Sequence, residues 1–469
     1  MTGTAVRSAS WELGFTSMEE ETAVDRLPVE GALPDWLSGA LVRVTPAKYD
    51  VGDRRVGHWF DGLAMLNRFG FANGQVSYKS RFLDTDAYRG ARDGQQVGAG
   101  FGTDPCRTLF QRVQAMFSPD FTDNANVNLA RVGERYVAMT ETPLPIEFDP
   151  ETLATIGPLE LQGRFGPHAT TAHPHHDPVK GELINYVARF GPRCEYVIYG
   201  LPLGGTERRP IARMKVRQPA YMHAFSMSER HLVLTEYPLR VSALRLASGR
   251  RPFIQNYRWD GDEPVRFQVF DRETGEHRGT YEHDAFFSFH HVNAFDRDGE
   301  LVVDLVAYPD SSIIDGLYLE GDGLRGNLPH SDLRRYVIDL EGGGVRSETL
   351  AEGPLDLPRI DYGARNGRDY TTVYAATIAG DWFDGLAKID VTDGSRKSWR
   401  ADGCYPGEPV FVKRLGGEAE DDGVVLSVVL DGRAGRSFLL ALDAASFEEI
   451  ARAEAPHHIP YGFHGQHWA

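Results

Sequence analysis

Apolar runs of strand length recur along this chain, separated by polar clusters rich in Gly, Asp, Pro and Asn. The runs are Leu41–Thr45, Val76–Phe82, Tyr136–Thr140, Leu183–Ala188, Tyr196–Tyr199, His231–Glu236, Val265–Phe270, Leu301–Ala307, Val373–Thr377, Leu386–Val391, Val424–Leu430 and Phe438–Leu442. Between them lie segments such as FANGQ, LASGRR, DRETGEH and DRDGE, whose residues supply turn chemistry. The pattern predicts a succession of antiparallel hairpins. An all-β chain of 469 residues has too many strands for one small barrel, which leaves a large sandwich, a solenoid or a propeller. A propeller is preferred, although neither a Trp-Asp nor a kelch signature recurs at a fixed period. No linker divides the chain, so residues 1–469 are expected to form one domain.

One segment departs from strand character. In DPCRTLFQRVQAMF, residues 104–117, the apolar Leu109, Phe110, Val113, Met116 and Phe117 share one face of a helix. Asp104 can cap it and Pro105 suits its first turn. Such a helix packs on the body of the protein or touches a membrane surface through which a greasy substrate enters.

Composition narrows the partners. A formal charge of −17 argues against nucleic acid and anionic lipid as broad electrostatic partners. Three cysteines, Cys106, Cys194 and Cys404, make no disulfide framework, which suits a reducing compartment. The first residues lack the apolar run of a signal peptide, and no run of about 18 apolar residues exists. The expectation is a cytoplasmic protein, with residues 104–117 as its candidate peripheral membrane contact.

Candidate chemistry lies in the sixteen histidines. TTAHPHHDP holds His173, His175 and His176, but its proline and extended geometry keep all three from pointing one way. His223 in YMHAFSMSE, His290 and His291 in FHHVNAFD, and His464 in YGFHG each sit among aromatics. Singly, each reads as a core histidine. Together, His173, His223, His290 and His464 are four imidazoles from distant segments that could converge on one metal.

The words around them resemble the carotenoid cleavage oxygenase family. The resemblance runs from LVRVTPAKYDVGDRRVGHWFDGLAML through FGTDPCRTLF, TETP, TAHPHHDP, YMHAFSMSE, FHHVNAFD, GDWFDGLAKIDV, GEPVFV and DDGVVLSVVL to IPYGFHG. It implies a seven-bladed propeller whose axial Fe(II) is covered by a dome of loops and helices. By matching motifs, His173, His223, His290 and His464 are the implied ligands, and His58, His175, His176 and His291 their structural neighbours. It also implies carboxylates that fix the outer nitrogen of three ligands, a device that sets tautomer and orientation. Glu141 and Glu408 match; where the family usually has glutamate, this chain has Asp356, one methylene shorter.

The implied reaction is cleavage of an alkene by O2 beside iron, with no side-chain nucleophile. A polyene has almost no hydrogen-bonding groups, so shape and aromatic walls must hold it. Phe60, Phe101, Thr140, Tyr308 and Phe463 are the implied lining. The stilbene-cleaving branch typically carries a lysine just before the acid at Glu141; the neutral Thr140 suits a hydrocarbon better. The expected activity is therefore oxidative cleavage of a carotenoid or apocarotenoid to aldehydes. Stilbene cleavage, retinoid isomerisation without oxygen and a non-catalytic scaffold are the alternatives.

Overall fold

The structure, a computed structural model, describes residues 10–94, 100–103, 122–163, 169–247, 251–320, 323–324 and 328–469. Seven antiparallel sheets of four to six strands follow one another around an axis as the blades of a propeller, alongside two minor two-stranded ribbons. All twelve apolar runs of the sequence overlap observed strands. The all-β expectation holds. The expected helix over 104–117 falls outside the described residues.

The middle strands of the blades are the apolar runs because both their faces are covered by neighbouring blades. Glu300–Ala307 is buried at every position after its first. Outer strands keep one face in water and alternate, as in Val345–Ala351 or the largely exposed Arg396–Trp399. Those polar outer strands leave little apolar signal.

The two chain ends interlock the first and last blades. Near the N-terminus, Val29–Gly31 adds to the last blade by pairing Val29 with Ala453. At the C-terminus, Gly465–Trp468 becomes the innermost strand of the first blade, pairing Arg43 with Gly465 and Ala40 with Trp468. The fit there is tight: a Cβ on Gly465 would lie 2.5 Å from Arg43 Cγ. Among the described residues, no helix is long and apolar enough to cross a membrane.

Candidate metal centre

Each of the seven blades contributes a histidine or an acid to one site. His173, His223, His290 and His464 each stand just before the innermost strand of a blade, those strands being His175–Asp177, Ser226–Met227, His291–Arg297 and Gly465–Trp468. The other three blades supply acids. Glu141 follows the strand Arg135–Met139, Asp356 lies within Leu355–Arg359, and Glu408 sits between Cys404–Pro406 and Val410–Lys413.

The backbone behind the imidazoles is pinned by buried donors. Thr171 Oγ1 donates to the carbonyl of His223, and the Tyr186 hydroxyl to that of Met222. The amides of Val306 and Val44 donate to the carbonyls of His290 and His464, at 3.0 and 3.2 Å. The ligand atoms of the four histidines lie within 4.8 Å of one another. His173 Nε2 is 3.0 Å from His223 Nε2, and His290 Nε2 is 3.1 Å from His464 Nε2.

The acids decide what those nitrogens are. His223 Nδ1 donates to Glu141 at 2.6 Å, His290 Nδ1 to Asp356 at 2.7 Å, and His464 Nδ1 to Glu408 at 2.8 Å. In a neutral imidazole whose Nδ1 carries the proton, Nε2 is a bare lone pair. Burial lowers the pKa of His223, and it brings that of His464 down to about 4 against the pull of Glu408. Burial and the other imidazoles hold His173 well below its ordinary value. Three fixed lone pairs thus converge in a buried place without a proton to share.

That donor set fits a divalent transition metal. Metal–imidazole bonds of about 2.1 Å at right angles separate neighbouring nitrogens by about 3 Å, as found here. Among the described residues, no carboxylate is bonded to His173.

Each acid is held differently. Glu141 Oε1 also accepts from the Tyr221 hydroxyl at 2.7 Å. Asp356 Oδ2 accepts from Tyr308 at 2.5 Å, while its Oδ1 accepts from the Leu357 amide at 2.7 Å. Burial alone would raise the Asp356 pKa, but His290 and Tyr308 hold it below its ordinary value. Glu408 is fully buried with Arg359 at 3.3 Å and Arg43 at 3.6 Å. Burial pushes its pKa up, yet Arg359, His464 and Arg43 bring it down to about 2.

Asp356 reaches His290 although its side chain is one methylene shorter than that of glutamate. The pairing with Thr372–Ile378 slips between Asp356 and Arg359, and Leu357 there takes φ of 55°. Such a bulge re-aims a side chain. Asp356 at its edge lies within hydrogen-bond reach of His290.

An apolar slot abuts the imidazoles, walled by Trp59, Phe60, Phe289, Phe463, Ile313 and Leu317 and bordered by His223 and His290. Of the residues expected to line a substrate path, Phe60 and Phe463 face this slot directly. The ring of Tyr308 lines it too, but its hydroxyl is committed to Asp356. Phe101 packs against Phe60 with ring centroids 4.9 Å apart. Thr140 is not among the lining residues described.

The expected neighbours have structural partners. His58 Nδ1 accepts from the Phe60 amide at 3.1 Å, so its Nε2 donates to the Ile314 carbonyl at 3.0 Å. His291 lies between Ser226 and Tyr237, and His175 bonds the Phe225 carbonyl. Sequence reasoning overlooked Asp61, whose carboxylate accepts the amides of Phe101, Gly102 and Thr103 at 2.5, 2.9 and 2.7 Å. It also passed over Arg43, although a lone cation inside the apolar run LVRVT was a readable signal.

Comparison with known proteins bears on the same site. A family model described as "Retinal pigment epithelial membrane protein" matches residues 15–469. Among curated relatives, "Carotenoid-cleaving dioxygenase, mitochondrial" of Macaca fascicularis is 32% identical over 96% of this chain and 93% of its own length. "Carotenoid isomerooxygenase" of Galleria mellonella is 34% identical, covering 95% and 94%, and "Beta,beta-carotene 15,15'-dioxygenase" of Gallus gallus 30%, covering 95% and 96%. Among solved structures, the cobalt-substituted apocarotenoid oxygenase of Synechocystis superposes with a TM-score of 0.87 at 27% identity, covering 98% of both chains. A family match over nearly the whole length thus joins four imidazoles on a seven-bladed axis, and the chain is an enzyme of the carotenoid cleavage oxygenase family.

Proposed function

We propose that the protein is an Fe(II)-dependent oxygenase that cleaves a carbon–carbon double bond of a carotenoid or apocarotenoid with O2, giving aldehyde products. The observation that carries this is the junction of two unlike surfaces. Three imidazole lone pairs fixed by Glu141, Asp356 and Glu408 meet a slot walled by aromatic rings. His173, His223, His290 and His464 would hold the iron. Iron(II) held there supplies a centre at which O2 is activated beside an electron-rich alkene.

The chain's own residues do the rest. Glu141, Asp356 and Glu408 keep Nδ1 protonated and the three rings aimed, while burial disfavours a second proton on His223 and His464. Phe60, Phe289, Phe463 and Trp59 offer aromatic faces to a polyene and exclude water from it. Asp356 is the acid beside the slot, and its oxygens are taken by His290, Leu357 and Tyr308. It therefore serves position, not proton transfer to substrate. An apolar polyene and O2 are the partners of this reading; nucleic acid has no place in it.

The test is the mass of the products that iron(II)-loaded protein forms in air from β-carotene, an apocarotenal and resveratrol in parallel. Aldehydes from a polyene, with 18O from labelled O2 in the products, are the expected result. Cleavage of resveratrol alone would move the substrate to the stilbenes, and geometric isomers without oxygen incorporation would make the enzyme an isomerase.

A further inference from the structure

The imidazoles border two cavities of different character. The aromatic slot is narrow, about 40 Å³. A second, wider cavity of about 620 Å³ is bounded by His173, His290, His464 and Glu408, and it extends to Gly133, Glu134 and Leu203. Glu134 there is 92% exposed, so the cavity runs from solvent to the four-histidine site. It has tens of times the room that one water needs.

Its wall mixes apolar residues such as Leu129, Leu203, Val292 and Ile360 with polar ones that reach the site. Beside the site, Arg359 donates to Gln466 Oε1 at 3.2 Å, and Gln466 Nε2 donates to Asn128 Oδ1 at 3.5 Å. This forms a collar of carbonyl oxygens and amides. Charges in the wall are paired, Arg131 with Glu134 at 2.9 Å and Arg359 with Glu408 at 3.3 Å. Their partners offset these guanidinium charges, Glu408 being shared between Arg359 and Arg43.

A divalent cation leaves water only where oxygen or nitrogen replaces its hydration. The aromatic slot cannot replace it, whereas the polar groups of the wider cavity can. We propose that the axial cavity is the path by which a hydrated divalent cation reaches the four imidazoles, with Asn128, Gln466 and Arg359 as its inner collar. Substrate and metal then approach the site through different cavities. The proposal rests on the metal-centre reading above.

Cobalt(II) uptake by metal-free protein tests it, followed in a stopped-flow instrument by the visible absorption of the ligated ion. Gln466→Trp, which fills the collar, should slow uptake about tenfold or more while leaving the final cobalt content unchanged. Gln466→Ala opens the collar and should take up cobalt faster than the unaltered protein. Ile313→Trp, which fills the aromatic slot, should leave the rate unchanged. The route is overturned if Ile313→Trp slows uptake and Gln466→Trp does not, or if Trp and Ala at 466 slow it alike. If Gln466→Trp fails to fold, the opposite behaviour of Gln466→Ala and Ile313→Trp still decides. A different failure marks the underlying reading: no cobalt bound by the unaltered protein, or as much bound by His290→Ala, removes the metal centre itself.

Discussion

At the scale of single residues, hydroxyls and acids behind the imidazoles define the site. Tyr308 shows how: its phenol, pushed well above its ordinary pKa by burial and by Asp356, stays a proton donor to that carboxylate. Tyr308→Phe should leave Asp356 one donor short and weaken metal affinity about tenfold, within the range for outer partners of a metal histidine. Competition for cobalt against a chelator measures this, and unchanged affinity would reduce Tyr308 to a wall of the slot. His58 carries a pH signature. Burial lowers its pKa to about 4, against the opposing pull of Asp61, while an unfolded imidazole titrates near 6.5. Between those values the unfolded chain binds more protons than the folded one, so stability falls as pH drops from 6.5 to 4. His58 accounts for about 3 kcal/mol of that loss. Urea unfolding of metal-free protein at pH 7, 5.5 and 4.5 should show a shallower decline for His58→Gln.

At the scale of elements, the short turn Trp59–Asp61 organises one wall of the slot. Phe60 faces the slot and Asp61 turns back to gather the amides of residues 101–103, which sets Phe101 against Phe60. Asp61→Ala should release that loop and cost about 3 kcal/mol, as a charged acceptor of several hydrogen bonds is lost. KM for the polyene should rise more than kcat falls. Equal unfolding midpoints for Asp61→Ala and the unaltered protein would show that the loop is held by something else. The bulge at Leu357 belongs to this scale too, since the irregular pairing lies directly beside the acid that holds His290.

At the scale of the whole molecule, the last strand serves fold and site together. Gly465–Trp468 completes the first blade, and His464 just before it completes the ring of imidazoles. Tyr461 reinforces the join, its amide donating to the Gly14 carbonyl at 2.9 Å and its hydroxyl to that of Trp11 at 3.0 Å. Ending the chain at Pro460 should therefore abolish cooperative thermal unfolding as well as metal binding, whereas His464→Ala alone should abolish only the metal. Circular dichroism melts with cobalt titration of both variants separate the two roles. A truncated chain with an unchanged melt would mean that the blade closes without its inner strand.

The sequence by itself determined the strands, because a middle strand buried on both faces must be apolar along its length, and Glu300–Ala307 reads that way. It also determined which histidines to bring together, through the motif words around them. Short inner strands such as His175–Asp177 and polar outer ones such as Arg396–Trp399 left little periodic signal, being too brief or too wet. Only the tertiary structure decided which nitrogen of each imidazole is bare, since that depends on acids some 56 to 82 residues away in sequence. It alone showed that Tyr308 spends its hydroxyl on Asp356, that Asp61 holds Phe101 in place, and that a second, wider cavity reaches the site. Those relations are set by how seven separately folded blades pack around one axis, and no local pattern along a chain records that distance.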